Sequence, residues 1–555
     1  MIGVFSQESE TPIVKEFFQL FKTPWEFYSE NKGYDVVVCT SERPEKFNTQ
    51  LLIIYSSEET HFDREHGITI LNKKAGVMLE NERKGVPIYG DVAIFKGNLN
   101  QVMRVQGFPE TVALEIEGKN RRIIRVGFNI FKEIQFLFLT GQPTEYACLP
   151  TLDIHISILR NWILQSGISL AEIPPVPEGY RFIACLTHDI DFYGICNHLL
   201  DHTMGGFIYR GLVVSVINYL KGKSSLKKLL SNWRAVLSLP AVYMGIVEDF
   251  WRGFIPYLEA EKGLPSTFFL VPFRGKPGKG MNGKIPKKRS VRYDVSMITP
   301  DVQKLLENGR EVGVHGIDAW CDPEKGREEL ERISAMTGDP DPGIRMHWLY
   351  FDEQSPGVLE QGGYSYDSTL GYNEAVGYRS GTTQAFQPKG AKRLLEVPLN
   401  IQDTALFYPR RMNLKETEAF TLVRGLLDNA MEYGGVLTIN WHDRSLAPER
   451  LWGDFYLTLL GKLRECNPWF STMKDAAAWF IARRNTRFED IQITPDKVMW
   501  RVSCGKVTVN PGLILRVHRP DADPSMSGMG EWTSVKTTDF ALKEEGEARL
   551  SIQSN

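Results

Sequence analysis

The sequence lacks a CxxC pair, and its seven cysteines are scattered over 555 residues. An odd, dispersed set of thiols argues against a disulfide framework and is typical of a reducing compartment. No apolar run approaches the ~20 residues of a transmembrane helix. The first ten residues also lack the basic segment and apolar core of a signal peptide. These features lead us to expect a cytoplasmic protein.

Strong charge of either sign is also missing, because the formal net charge is only −3. This balance gives no electrostatic reason to expect nucleic acid as a partner. The hydrophobic content of 42% is ordinary for a globular protein. At roughly 100–200 residues per domain, the length predicts about three domains.

The pattern of apolar and turn-forming residues divides the chain into three predicted domains. Residues 1–172 are mixed and strand-rich, with helical patterns near Ile130–Thr140 and Leu152–Gln165, and predict an accessory α/β domain. A proline-rich linker follows. Residues 180–485 alternate strands and helices, which favours a mainly parallel sheet or barrel. Residues 486–555 show only short strand patterns and predict a small all-β domain.

Polar side chains follow four predicted strands of the 180–485 region. They are Asp189 and Asp191 with His188, then His315 with Asp318, then Arg345 with His347, and finally His442 with Asp443. In α/β folds of this type, the chemistry lies on the loops just past the carboxyl ends of the strands. Two imidazoles and a carboxylate suit a divalent metal that activates water.

In order and spacing these motifs resemble those of the polysaccharide deacetylase family, carbohydrate esterase family 4. The resemblance covers residues 180–485 and implies a distorted (β/α) barrel that removes an N-acetyl group from an amino sugar. The segments Gly363–Gly371 and Gly377–Thr382 resemble a branch of the family associated with surface-polysaccharide synthesis. The implied partner is therefore an N-acetylated carbohydrate, in a polysaccharide or a glycan precursor.

The resemblance also implies roles for single residues. Asp189 matches the general base, His442 the general acid, and Arg345 the arginine that orients the base. Asp191 and His315 match metal ligands. His188 and Asp443 are expected to fix the orientation of the imidazoles or carboxylates of the site through hydrogen bonds.

One position departs from the family pattern. The second metal histidine of the family would fall at position 319, where this sequence has Ala319. Either His347 supplies the missing imidazole or Asp318 replaces it, and we favour His347 because nitrogen ligands suit zinc-like ions. The expected cofactor is thus a divalent metal, with zinc as the expected ion.

Two other interpretations stay open at the level of sequence. A barrel without metal would be a glycan-binding or assembly module, and an intact site could act on a small cyclic amide instead of a sugar. Two further segments have no assigned role. The basic, glycine-rich stretch Arg274–Arg289 favours a solvated loop over a phosphate-binding loop. Residues 206–237 favour helices packed on the barrel over a peripheral membrane contact.

Overall fold

The computed structural model describes residues 1–41, 47–81, 84–96, 100–118, 121–252, 254–494, 496–504, 509–520 and 535–549. The chain divides into two units. One unit contains Met1–Gly179, Ser380–Thr382 and Trp479–Asn555, and the other contains Tyr180–Arg379 and Thr383–Ala478. In the described part of the chain, no helix has the length and apolar content needed to cross a membrane.

The first unit is built on a nine-stranded mixed sheet. Its strands are β1 (Ile2–Phe5), β2 (Trp25–Phe27), β3 (Tyr34–Cys39), β4 (Thr49–Tyr55), β5 (Ile70–Asn81), β6 (Lys84–Phe95), β7 (Asn100–Val105), β8 (Thr111–Gly118) and β9 (Arg121–Val126). Their order is β2-β1-β3-β4-β9-β8-β6-β5-β7. The pairs from β2 to β9 are parallel and the others are antiparallel.

Four helices and one short strand complete the N-terminal part of this unit. They are α1 (Thr11–Phe21), α2 (His61–His66), α3 (Ile130–Leu139), α4 (Thr151–Gln165) and β10 (Leu170–Glu172). The Asn129 side chain accepts hydrogen bonds from the backbone N–H groups of Phe131 and Lys132, which fixes the start of α3. The two predicted helices of this region are thereby confirmed.

The second unit contains a sheet in which all pairings between its named strands are parallel, and one isolated antiparallel bridge joins Phe386 to Glu396. Its strands are β11 (Ile183–Ile190), β12 (Thr267–Leu270), β13 (Glu311–Gly316), β14 (Ile344–Met346), β15 (Tyr366–Asp367), β16 (Leu395–Glu396), β17 (Ile401–Gln402), β18 (Val436–Asn440) and β19 (Trp469–Ser471). The order is β16-β15-β14-β13-β12-β11-β18-β17, and β19 also pairs with β11.

Helices follow most of these strands, as the alternating pattern predicts. They are α5 (His202–Tyr209), α6 (Ser215–Leu220), α7 (Leu226–Tyr243), α8 (Phe254–Ala260), α9 (Thr299–Glu307), α10 (Pro323–Thr337), α11 (Ser355–Gly362), α12 (Asp403–Phe407), α13 (Glu416–Tyr433), α14 (Gly453–Glu465) and α15 (Met473–Asn485). Residues 479–485 of α15 belong to the first unit. The α/β class with a parallel sheet is confirmed. The described pairings leave β16 and β17 at the two ends of the sheet, so its closure into a distorted barrel stays a prediction.

The C-terminal strands belong to the first unit. They are β20 (Arg487–Ile493), β21 (Lys497–Ser503), β22 (Ile514–Pro520), β23 (Val535–Ala541) and β24 (Glu545–Arg549). One antiparallel sheet has the order β20-β21-β24, and another has the order β10-β22-β23. Because β22 pairs with β10, the contacts group this segment with the N-terminal residues, whereas the sequence pattern treats 486–555 separately. The three-domain division and its boundaries stay predictions.

A buried ion pair in the first unit gives a test of this packing. The Arg125 guanidinium on β9 donates to both carboxylate oxygens of Asp63 in α2, each at 2.9 Å, and both side chains are fully buried. Asp63→Ala leaves the guanidinium without its countercharge, so we expect the free energy of unfolding to fall by about 3–5 kcal/mol. Urea unfolding followed by far-UV circular dichroism measures this change.

The matched control is Glu80→Ala, which removes a partly exposed ion pair with Arg104 in the same sheet. We expect a loss below about 1 kcal/mol there. Equal losses in the two variants would contradict the larger contribution to the free energy of unfolding that we assign to the buried Arg125–Asp63 pair.

Candidate metal centre and acid–base groups

The candidate site lies at the carboxyl ends of neighbouring parallel strands. β14, β13, β12, β11 and β18 are consecutive in the sheet, and their register places Arg345 opposite His315 and Asn440 opposite Thr187. Because parallel strands end at the same edge, the polar residues that follow each strand are brought together. This geometry explains why motifs more than 250 residues apart, such as those at Asp189 and His442, contribute to one region.

Asp191, His315 and His347 form a cluster whose potential ligand atoms all lie within 4.8 Å of one another. Asp191 Oδ1 lies 3.4 Å from His315 Nε2 and 3.1 Å from His347 Nδ1. His315 Nδ1 lies 2.9 Å from the backbone carbonyl oxygen of Arg345, so this nitrogen carries the proton and donates. The Nε2 lone pair of His315 is therefore left for the cluster, as in metal-binding histidines.

The chemistry of these donors fits a divalent ion. Asp191 Oδ1 and His347 Nδ1 are buried without a hydrogen-bond partner in the described part of the chain. Burial lowers the pKa of His347 to about 4, so the imidazole is neutral at pH 7. Burial alone would raise the pKa of Asp191, but the neighbouring His347 imidazole holds it well below its ordinary value. A carboxylate with two imidazoles is a typical zinc donor set.

Asp318, the alternative third ligand, lies outside the cluster. Its carboxylate accepts hydrogen bonds from the backbone N–H of Lys279 at 2.6 Å and from Lys325 Nζ at 3.0 Å. Both of its oxygens are thus engaged elsewhere. His347 is the residue that joins Asp191 and His315.

His347 is held by an arginine that the sequence analysis assigned to a solvated loop. Arg289 is buried, and its guanidinium donates to the backbone carbonyl of His347 at 2.8 and 3.1 Å. It also donates to the carbonyls of Gly316 at 3.1 Å and Ile317 at 2.7 Å. Arg289 therefore joins the ends of β13 and β14, and the solvated-loop interpretation is wrong for this residue.

The carboxylate of Asp189 is oriented from two sides. Arg345 Nη1 donates to Oδ1 at 3.0 Å, and Asn440 Nδ2 donates to Oδ2 at 2.7 Å. Burial alone would raise the pKa of Asp189, but the Arg345 guanidinium overcomes it and lowers this pKa. Asp189 is thus ionised, and its Oδ2 lies 3.9 Å from His315 Nε2, beside the metal-ligand cluster.

His442 has the opposite electrostatic environment to His347. Its Nδ1 donates to Asp403 Oδ1 at 2.6 Å, and its backbone N–H donates to Asp403 Oδ2 at 2.7 Å. Burial works against the charged ring, but the Asp403 carboxylate outweighs it and raises the pKa of His442 to about 9. Asp191 and Asp189 raise it further. The ring is therefore an imidazolium at neutral pH.

His188 and Asp443 do not contact the candidate ligands or base through their side chains in the way the sequence predicts. His188 lies with Nδ1 2.8 Å from the Trp441 carbonyl and Nε2 2.8 Å from Glu261, so it supports the sheet and contacts neither candidate ligand nor base. Asp443 accepts from the backbone N–H of Phe192 at 2.7 Å, which fixes the segment just after Asp191. Asp443 therefore holds the backbone next to the candidate ligand Asp191.

Three residues of the site, Asp403, Asn440 and Arg289, are not predicted from the sequence. Asn440 could have been noticed, because it comes just before Trp441 and His442 at the end of an apolar run. Asp403 follows the two-residue strand β17, which is too short to give a periodic signal. No local signal marks Arg289, because its partner His347 is 58 residues away.

No protein-family model matches the chain, and no curated protein matches it. Three similar solved structures are a protein assigned as a polysaccharide deacetylase from Mycobacterium smegmatis, the Puue allantoinase, and the polysaccharide deacetylase Bc1974 from Bacillus cereus. Their sequence identities are 16%, 17% and 14%, with TM-scores of 0.35, 0.33 and 0.25. They cover 56%, 55% and 53% of this chain and 95%, 92% and 92% of their own.

The cluster predicts how metal binding responds to substitution. We expect the wild-type protein to retain about one equivalent of zinc after dialysis, as a three-ligand site does. His347→Ala should lose it, because only two protein ligands remain. Elemental analysis of the dialysed proteins measures the content.

Asp318→Asn is the matched control, since Asp318 lies next to the cluster without joining it. This variant should keep its zinc. Loss of zinc from Asp318→Asn but not from His347→Ala would reverse the assignment of the third ligand.

Proposed function

We propose that this chain is a divergent polysaccharide deacetylase with a distorted (β/α) barrel. In this proposal it is a metal-dependent amide hydrolase that removes an N-acetyl group from an amino sugar of a polysaccharide or glycan precursor. One observation carries the proposal. A carboxylate–imidazole–imidazole cluster lies beside an ionised carboxylate, Asp189, and both Asp189 and the cluster's Asp191 raise the pKa of a cationic imidazole, His442.

Asp191, His315 and His347 would hold the ion, and the Arg345 carbonyl fixes the tautomer in which His315 presents Nε2. A divalent ion bound there, with zinc as the expected ion, supplies Lewis acidity that polarises an acyl carbonyl and acidifies water. His347 stays neutral at pH 7 because burial lowers its pKa to about 4, so protons do not compete for its lone pair near neutrality.

Asp189 is suited to act as the general base. Arg345 and Asn440 each occupy one of its oxygens, which holds the carboxylate in one direction beside His315. A carboxylate oxygen has two lone pairs, so each can still accept a proton from an attacking water. Arg345 keeps the pKa of Asp189 low, and the base is therefore available across the neutral range.

His442 is suited to act as the general acid. Amide hydrolysis requires a proton on the departing nitrogen, and an imidazolium can donate it. Asp403 holds Nδ1–H, so Nε2–H is the proton that faces away from this carboxylate. The two acid–base residues thus have opposite charges, as their opposite tasks require.

An exposed tryptophan next to the cluster favours a sugar substrate over a small cyclic amide. Trp348 follows His347 directly, is 43% exposed, and has its ring centroid 5.9 Å from that of His347. Tyr350 packs edge-on against Trp348 at 6.2 Å. An open aromatic face beside a reaction centre suits the flat apolar face of a sugar ring.

The direct test is acetate release from N-acetylglucosamine oligosaccharides by the zinc-loaded protein. We expect wild type to release acetate and Asp189→Asn to lose about 100-fold or more in kcat, because a general base contributes roughly 10²–10⁴-fold. The zinc content of Asp189→Asn should be unchanged, because Asp189 is not one of the three ligands.

Asp318→Asn again serves as the control that should retain activity. If fully zinc-loaded wild type releases no acetate, the deacetylase proposal is wrong. Hydrolysis of a cyclic amide without action on the oligosaccharides would keep the hydrolase chemistry and overturn the sugar assignment. Absence of zinc from wild type would favour the metal-free glycan-binding module.

The Asp403–His442 pair predicts a specific change in pH dependence. If the imidazolium donates the proton, wild-type kcat falls as pH rises through the His442 pKa of about 9. Asp403→Asn removes the carboxylate that raises this pKa but leaves the burial that lowers it. The alkaline limb should therefore move to lower pH, toward or below the ordinary imidazole pKa of about 6.5.

Rate measurements across the pH range with both proteins test this shift. The acidic limb should stay in place, since Asp189 and Arg345 are unchanged. An alkaline limb that does not move in Asp403→Asn would remove His442 from the role of acid.

A further inference from the structure

A helical insertion between β11 and β12 leaves the sheet at the edge that carries Asp191. It consists of α5, a π-helical turn (Arg210–Val214), α6, α7 and α8. Of the 27 large hydrophobic side chains that are exposed in the described part of the chain, 13 fall within residues 209–247. The candidate site does not account for this concentration.

Helix α7 has two apolar faces. One face packs into a buried cluster with Phe207 and Trp251 and contains Ala235, Leu239 and Val242. The other face contains Leu226, Leu230, Trp233 and Leu237, which are 52%, 43%, 39% and 78% exposed. Their spacing of i, i+4, i+7 and i+11 places them on one side of the helix.

The preceding helical segment adds a second exposed stripe. Leu212, Val213, Ile217 and Leu220 are 39%, 44%, 39% and 76% exposed. This segment packs closely on α7, because a Cβ atom at Gly211 would lie only 2.7 Å from Val236 Cγ2. We refer to these four residues and the four exposed residues of α7 as the apolar helical surface.

The charge of the insertion indicates what covers this surface. Residues 202–247 contain six lysines and arginines and no aspartate or glutamate. At the chain average of 68 acidic residues in 555, about six would be expected in such a stretch. Arg210 and Lys228 are paired with Glu449 and Glu416. The exposed Lys221, Lys223, Lys227 and Arg234 have no acidic partner in the described part of the chain.

We propose that the insertion docks on the surface of an anionic lipid bilayer. The apolar helical surface would enter the headgroup region, and the four free cations would contact lipid phosphates. A second copy of this chain is a poorer occupant, because two such surfaces would bring eight like charges together, and residues 202–247 of either copy contain no acidic residue to offset them.

Contacts within the same unit connect the insertion to the segment that carries His442. The Glu449 backbone N–H donates to Asn232 Oδ1 of α7 at 2.6 Å, and the Tyr257 hydroxyl donates to the His442 carbonyl at 2.7 Å. Docking would hold this segment near the bilayer, which suits a glycan precursor carried on a lipid. This last step rests on the proposed function, whereas docking itself does not.

Vesicle flotation of the full chain tests the proposal. We expect the protein to float with vesicles of phosphatidylcholine and phosphatidylglycerol but not with vesicles of phosphatidylcholine alone. The pair Lys221→Gln and Lys223→Gln should weaken partitioning roughly 30-fold, since two surface cations are lost. The pair Leu220→Ser and Leu237→Ser should weaken it at least about 10-fold, through lost apolar burial. All four side chains are exposed, so folding should be unaffected.

Matched controls on the same unit are Lys389→Gln with Lys392→Gln, and Leu457→Ser, which are exposed residues outside the insertion. These variants should float like wild type. Equal flotation with neutral vesicles, equal losses in the controls, or no flotation would each overturn the proposal. Self-association that disappears in Leu220→Ser with Leu237→Ser would assign the surface to a second copy. None of these readouts depends on acetate release or zinc content.

Discussion

The buried guanidinium of Arg345 is the contact on which the candidate site depends. From β14 it donates to Asp189 and Thr187 on β11 and to the carbonyl and hydroxyl of Ser368, just after β15. Its own backbone carbonyl accepts the proton of His315 Nδ1. One residue thus orients the candidate base and fixes the tautomer of a candidate ligand. Burial of a guanidinium is costly, and this full set of partners, with Phe269 stacked at 4.5 Å, offsets the cost.

Neighbouring carboxylates and burial together give His347 and His442 opposite protonation states at neutral pH. His347 shares Asp191 with His315 but is so deeply buried that its pKa falls to about 4. His442 lies beside Asp403, which also accepts hydrogen bonds from Ser445 Oγ and the backbone N–H of Thr404, and this carboxylate raises the pKa of His442 to about 9 although burial alone would lower it. Identical side chains thus become a neutral imidazole, suited to the proposed role of ligand, and a cationic imidazolium, suited to the proposed role of acid. The difference comes from the balance between desolvation and the countercharge of a neighbouring carboxylate, which is how acid–base roles are divided in enzymes.

The α/β alternation and the polar strand ends could be read from the sequence, because both have a regular signal. Asp191, His315 and His347 come together because parallel strands end at one edge, and that rule needs no alignment. Asp403 and Arg289 could not be found in this way. They act across 39 and 58 residues on His442 and His347, and no periodicity encodes such a pairing. The pairing of β10 with β22 could not be predicted either, because these strands lie far apart in the sequence.

Position 319 is closely packed, and the candidate third ligand follows another strand. Ala319 is fully buried, and its Cβ would lie 3.3 Å from a Cβ placed at Gly326 of α10, so the helix packs where a larger side chain would lie. The candidate imidazole, His347, directly follows β14 instead. Trp348 and Leu349 adopt positive φ values of 63° and 54°, which turn the chain directly after His347. Such a turn is strained for residues with side chains. The Arg289 hydrogen bonds to the His347 carbonyl stabilise this turn. The small Ala319, the turn after His347 and the buried Arg289 therefore depend on one another.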